Sequence, residues 1–149
     1  MASNKHGFTL LEIVASIFIL SIVFTASISI FMAVRTQTIA TQARFNAVEA
    51  GTQIRDIIIS ETTYEEASLW LSTQSGLEVS FNQLNCNPEF FNCERIFGVV
   101  VSGQAYDTFT VIFTLVDDYA AYQVIHFKIR IVYYHERAFE LRGIIYATA

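Results

Sequence analysis

The chain has 149 residues, 53% of them hydrophobic, with a mean hydropathy of +0.42 and a formal net charge of −5. Nine basic residues against 14 acidic ones argue against a general nucleic-acid-binding surface. Two cysteines with no histidine near them exclude a four-ligand structural zinc site. The first feature in chain order is a short leader ending Lys5-His6-Gly7, followed by Phe8-Thr9-Leu10-Leu11-Glu12. Residues 13–34 then form a stretch of 22 positions without a charged residue, Pro or Gly. At about 1.5 Å per residue a helix of that length spans a bilayer core of roughly 30 Å. Its serines and threonines can bond back to helix carbonyls, so they do not oppose insertion. The run is longer than the apolar region of an ordinary secretory signal. Flanking charge orients it weakly, with Lys5 on one side and Arg35 and Arg44 on the other.

Glu12 is the one carboxylate inside this apolar segment. An acidic residue at a membrane helix centre costs about 2.5–3.5 kcal/mol, less near the interface, so it calls for a partner. A plain anchor with a snorkelling or protonated Glu is one reading of it. The short leader, Gly7, Phe8, the Glu five residues into the chain after Gly7 and the long apolar run together resemble the N-terminus of type IV pilins and pseudopilins. That resemblance covers residues 5–34. It implies a membrane-bound prepilin peptidase that cuts between Gly7 and Phe8 and methylates the new N-terminus. It also implies that Glu12 pairs with the amine of a neighbouring subunit's Phe8, a charge pair completed on assembly. The implied partners are that peptidase, other pilin or pseudopilin subunits, an inner-membrane assembly platform and, before assembly, the lipid bilayer. Many major pilins carry a Pro about twenty residues into the mature chain. Ser29 stands there here, so the helix lacks a Pro-linked kink, and a minor pilin or pseudopilin fits better than a bulk fibre subunit.

The segments expected from this are a leader (1–7), a membrane and filament-core helix (8–34), an amphipathic extension (35–60) and a β-rich globular domain (61–149). In the extension Ile39, Ala43, Ala47, Ala50, Ile54, Ile57 and Ile58 recur at three- and four-residue spacing, a stripe suited to lie on a sheet. Two helices broken near 36–41 are the alternative, and Gly51 is a weak point costing about 1 kcal/mol relative to Ala. Thr62 with Glu65, or Thr63 with Glu66, forms a capping-box pattern for a short helix through Leu71, with Leu69 and Trp70 tucked against the core. Residues 72–76 read as a turn and 77–81 as a short strand.

The polar segment 82–94 holds the only Pro, Pro88, and both cysteines, Cys86 and Cys93. The spacing is not that of a redox Cys-x-x-Cys pair. In an exported domain a structural disulfide closing a small loop is the favoured reading, with two reduced thiols as the alternative. Phe90 and Phe91 are taken as core anchors rather than an exposed contact. Residues 96–101 are expected as a strand. In 109–115 Phe109, Val111, Phe113 and Leu115 alternate with Thr108, Thr110, Ile112 and Thr114, and Asp117-Asp118 marks a turn. Ile125, Phe127, Ile129, Ile131 and Tyr133 alternate with His126, Lys128 and Arg130, a strand with one buried and one basic face. A second turn at 135–137 leads to a last strand with Phe139, Leu141 and Ile145 inward. The fold class is α+β: a long N-terminal helix packed on a C-terminal antiparallel β-sheet, in agreement with the pilin fold.

No catalytic constellation emerges. His6 lies in the leader, His126 on a polar strand face and His135 in a turn, and none has a neighbouring triad or metal pattern. No metal or other cofactor is called for. Removal of the leader takes Lys5 and leaves 8 basic against 14 acidic residues, a charge of −6. Lys128, Arg130, Arg137 and Arg142 form a local basic group. It has the chemistry to touch DNA phosphates, but a solvated sheet face with cross-strand pairs such as Arg130 with Glu140 is preferred. The expected protein is a minor pilin or pseudopilin with its globular domain outside the cytoplasm, then part of a cell-surface or periplasmic filament. A single-pass anchored extracellular domain that binds a ligand and never polymerises is the alternative of a different class.

Overall fold

The computed structural model describes residues 9–76, 78–114 and 122–147. The chain divides into two compact units between Ala40 and Thr41. One helix, α1 (Leu10–Glu61), runs without interruption through 52 residues. A break near 36–41 does not occur. Thr36 Oγ1 and Thr38 Oγ1 donate to the carbonyls of Met32 and Val34 at 3.0 and 2.9 Å, so these hydroxyls bond within the helix instead of competing with it.

The second unit is built on a four-stranded antiparallel sheet of spatial order β1 (Glu78–Phe81), β4 (Phe109–Thr114), β5 (Val124–Tyr133), β6 (Arg137–Tyr146). The period-two pattern settles its two faces. Phe109, Val111 and Phe113 on β4 and Ile125, Phe127, Ile129 and Ile131 on β5 are buried, and their neighbours are exposed or half-buried. The C-terminal part of α1 covers the inner face through Ala47, Ala50, Gly51, Ile54 and Ile58. Ile39 is exposed, so the buried stripe starts later than the sequence suggests. Gly51 is a point of close approach: a Cβ there would lie 3.2 Å from Ile131 Cδ1 and 3.5 Å from the Phe139 ring.

Helix α2 (Tyr64–Ser72) begins with a complete capping box. Thr63 Oγ1 accepts from the Glu66 N–H at 3.2 Å, and the Glu66 carboxylate accepts from the Thr63 N–H at 2.9 Å. Ala67, Trp70 and Leu71 face inward, whereas Leu69 points to solvent, contrary to expectation. Leu69 lies one residue off the stripe that 67, 70 and 71 define at 3.6 residues per turn. Trp70 packs edge-on against Phe81, Phe91 and Phe113, with ring centroids 5.9, 5.1 and 5.4 Å apart. Phe91 is buried and Phe90 half-buried against the same cluster.

The strand expected over 96–101 is not formed. Asn92 Oδ1 accepts from the Arg95 N–H and caps a one-turn helix, α3 (Cys93–Phe97), which buries Ile96 and Phe97 together. A strand would send those two neighbours to opposite faces. Val100–Val101 (β2) instead pairs with Gln104–Ala105 (β3) in a separate two-stranded ribbon. Ser102 and Gly103 at its tip both have positive φ, as the tight hairpin turn requires. The fourth strand of the main sheet is therefore β1.

The turn after β5 is a short 3-10 segment, Tyr134–Glu136, with His135 and Glu136 at positive φ. On β6 the inward position opposite Phe127 is Gly143, and the Phe127 ring lies across it. The expected turn at Asp117-Asp118, Leu77 and Leu115 lie outside the described residues.

Candidate functional site

The candidate assembly element is the first forty residues. Thr9 begins α1: its carbonyl accepts from the N–H groups of Glu12 and Ile13 at 3.0 and 3.2 Å, and its Oγ1 accepts from Glu12 N–H at 3.3 Å. Glu12 thus falls in the first helical turn, where the unsatisfied amides favour negative charge. Its side chain is exposed and makes no ion pair among the described residues. Gly7 and Phe8 lie outside the described residues.

From residue 13 to residue 34 the helix carries no charge, and large apolar side chains face every side. It is long and apolar enough to cross a membrane, and its most apolar window has no buried residue. Ser16, Ser21, Thr25, Ser27 and Ser29 each donate to the carbonyl four residues earlier, at 2.7 to 3.1 Å. Every one of these hydroxyl donors is satisfied inside its own helix, which lowers the cost of removing the segment from water.

One feature was missed at the sequence level. Ser21, Thr25 and Ser29, four residues apart, line a shallow groove with Phe18 and Ile22. Small residues at that spacing let a second helix approach closely; the spacing alone is the signal that would have found it.

In the second unit Cys86 and Cys93 are joined in a disulfide with Cα atoms 6.1 Å apart. Beside it Glu61, Glu66, Glu89 and Glu94 are among the residues that line a concavity of about 380 Å³. Arg95 forms an ion pair with Glu61. Hydrogen bonds from the Thr63 backbone and hydroxyl hold the Glu66 carboxyl below its ordinary 4.5. Burial pushes the Tyr106 phenol above its ordinary 10.0.

The basic group divides by strand parity. Lys128, Arg130 and Arg142 share the outer sheet face, with Lys128 opposite Arg142 and Arg130 opposite Glu140. Arg137, opposite Tyr133, has the other parity and does not belong with them. Lys128 Nζ lies 3.1 Å from Glu78 Oε1, across β4. The register match of Arg130 with Glu140 is not an ion pair. His126 is exposed on the outer face and His135 packs on Tyr134 in the hairpin. Among the described residues no three metal-ligating side chains converge.

A single long helix, charge-free over residues 13–34 and continued into the support of an antiparallel sheet, defines an α+β pilin-like arrangement. Residues 2–28 match the prokaryotic N-terminal methylation motif, so the chain carries the prepilin-type signal of type IV pilins. No curated protein and no solved structure matches the chain. The motif implies processing by a prepilin peptidase and assembly with other pilins, and it points to a structural subunit rather than an enzyme. Together with the apolar helix it fits a membrane-anchored precursor.

Proposed function

We propose that this chain is a minor pilin or pseudopilin: cut after Gly7, held in the membrane by residues 8–34, and drawn by its helix into a filament. The observation that carries this is the prepilin-type motif running directly into an unbroken helix whose first 25 residues, 10–34, are charge-free but for one carboxylate, Glu12, in the first turn. The chain inserts with its leader in the cytoplasm, and the peptidase exposes the amine of Phe8. On extraction by the assembly platform, the helix exchanges lipid for neighbouring helices. Glu12 meets the Phe8 amine of an adjacent subunit in surroundings of low dielectric, where a mispaired register leaves a costly bare charge. The unbroken helix through Ser29 supports a minor pilin or pseudopilin over a subunit whose helix melts at a Pro. The globular domain lies outside the cytoplasm, where the Cys86–Cys93 bond persists.

The test is the N-terminal peptide of the protein from its native host, with and without the prepilin peptidase. A peptide beginning at Phe8, with an added methyl group and only when the peptidase is present, is expected. An uncut N-terminus in both strains makes the protein a plain anchored domain and ends the filament reading.

A further inference from the structure

We infer that a groove over the ends of β4 and β5 is a binding site for a neutral oligosaccharide, with one sugar ring held among Tyr106, Tyr133 and Tyr134. The groove exists because β1 leaves β4 early. Their last pair is Phe81 with Val111, so Phe109 and Thr110 have no strand on that side. The chain after Phe81 turns away through two side-chain bonds. Asn82 Oδ1 accepts from the Leu84 N–H at 2.9 Å, and Asn85 Oδ1 accepts from the Asn82 N–H at 2.6 Å. The space left is a hollow of about 460 Å³ that reaches Arg130. Around the strand ends lies a second hollow of about 240 Å³, walled by the three tyrosines and Gln104. Thr108 and Val132 line both, so the two adjoin. All of these residues lie in the second unit, so the site does not depend on whether the chain is cut at Gly7.

Tyr106 is the residue that points to a ligand. It is only 8% exposed, yet its hydroxyl has no hydrogen-bond partner among the described residues. Buried tyrosine hydroxyls ordinarily find one, because an unmet polar group is costly. The oxygen is not sealed in the core, where the unmet side-chain atoms are Glu61 Oε2 and Thr62 Oγ1. It opens on the hollow that Tyr106 lines. The rest of the lining selects the ligand. Across both hollows the charged groups are one cation, Arg130, and one anion, Asp107, whose Oδ1 accepts from Thr108 Oγ1 at 3.0 Å. A nucleic-acid strand calls for an excess of cations, which this lining lacks. The other polar groups are the amides of Asn82, Gln83 and Gln104, the hydroxyls of Thr108 and Thr110, and the phenols. Such groups both donate and accept, as the hydroxyl rim of a sugar requires. Tyrosines add flat apolar faces for the C–H face of a pyranose. Tyr134 is braced edge-on by His135, with ring centroids 4.2 Å apart. The second polar hollow beyond Thr108 and Val132 gives room for further sugars of the same chain.

The experiment uses the full chain, solubilised in a detergent without a sugar headgroup. Its probes are neutral hexasaccharides of glucose, mannose, galactose and N-acetylglucosamine, each with its disaccharide, titrated and followed by saturation-transfer NMR. A hexagalacturonate and a short single-stranded DNA are the charged controls. At least one neutral hexasaccharide is expected to bind, about tenfold more tightly than its disaccharide. Tyr106→Phe is expected to weaken both about tenfold and to leave the denaturation midpoint unchanged or raised, because the hydroxyl it removes has no partner in the chain. Arg130→Gln is expected to weaken the hexasaccharide about fivefold and to leave the disaccharide within about twofold, since it touches the other hollow alone. The proposal is overturned if no neutral hexasaccharide binds at millimolar concentration, or if a charged control binds more tightly than every neutral one. Binding that Tyr106→Phe leaves unchanged overturns it as well. So does a Tyr106→Phe chain with a lowered midpoint, which assigns the hydroxyl to the fold and leaves none free for a ligand.

Discussion

Residues 10–40 and 41–61 belong to one helix yet meet different surroundings. In the first stretch large apolar side chains are exposed all round, Phe24 at 68% and Ile17, Leu20 and Phe31 much alike. In the second a narrow stripe of small residues and two isoleucines is wholly buried on the sheet, and the rest is mostly polar. The local backbone is the same, so helix propensity does not distinguish them. What differs is the solvent each surface suits: hydrocarbon or other helices for the first, a water-facing domain with a core for the second.

The sharpest way to break that comparison is one substitution made at two equally exposed phenylalanines. Phe24→Lys puts a charge in the middle of the apolar stretch, at a cost of about 2.5–3.5 kcal/mol on insertion scales, and is expected to lower the membrane-bound fraction more than tenfold. Phe45→Lys, at a residue 62% exposed in the second unit, is expected to leave that fraction within twofold. Equal losses in membrane flotation mean that the two stretches do not differ in solvent.

The next effect concerns the domain alone. Trp70 joins α2, β1, the disulfide loop and β4, so Trp70→Ala is expected to cost about 3–5 kcal/mol, read as a lowered denaturation midpoint of the detergent-solubilised chain. Cys86→Ser with Cys93→Ser is expected to cost about 2–3 kcal/mol by freeing a short loop. Neither change should alter membrane flotation. A Trp70→Ala chain that unfolds at the wild-type midpoint removes the aromatic cluster as the centre of the core.

These effects follow how far each region was legible in sequence. The prepilin-type motif and the long apolar helix were legible, because a short motif and a charge-free run need only local information. Strands β4 and β5 were legible from strict alternation, and the α2 start from Thr63 and Glu66. Residues 93–101 were not: Ile96, Phe97, Val99 and Val101 fit neither period cleanly, and the deciding signal was the Asn92 cap. Gly143 was passed over because its contact is the Phe127 ring on another strand. Which cations share a face depends on the β5–β6 register, which sets Arg142 beside Lys128 and removes Arg137 from the group. Such pairings are long-range and no window of sequence contains them.

Gly51 marks where the second stretch leans on the sheet. Alanine there gains about 1 kcal/mol of helix propensity. Its methyl lies 3.2 Å from the end of Ile131, a side chain able to shift, so the net change is expected within about 1 kcal/mol. Gly51→Leu adds atoms with no room between helix and sheet and is expected to cost about 1–3 kcal/mol. A leucine tolerated as well as alanine means that the helix does not rest on the sheet there.

The smallest effect sharpens the comparison from its boundary, where α1 gives way to α2 after Glu61. Glu66→Gln removes the charged half of the capping box and is expected to cost about 1 kcal/mol near neutral pH. The carboxyl is held below its ordinary 4.5 by the Thr63 backbone and hydroxyl. Its contribution is therefore fully present above the unfolded-state value and fades as pH falls through the lower folded-state value. Wild type and Glu66→Gln are expected to differ at pH 7 and to converge once pH has fallen through the lowered folded-state value, as read by amide exchange across α2. Salt changes the difference little, because the contact is a short hydrogen bond rather than a distant charge. A gap that persists unchanged into acid means that the Glu66 side chain acts by packing and that its carboxylate does not hold the start of α2.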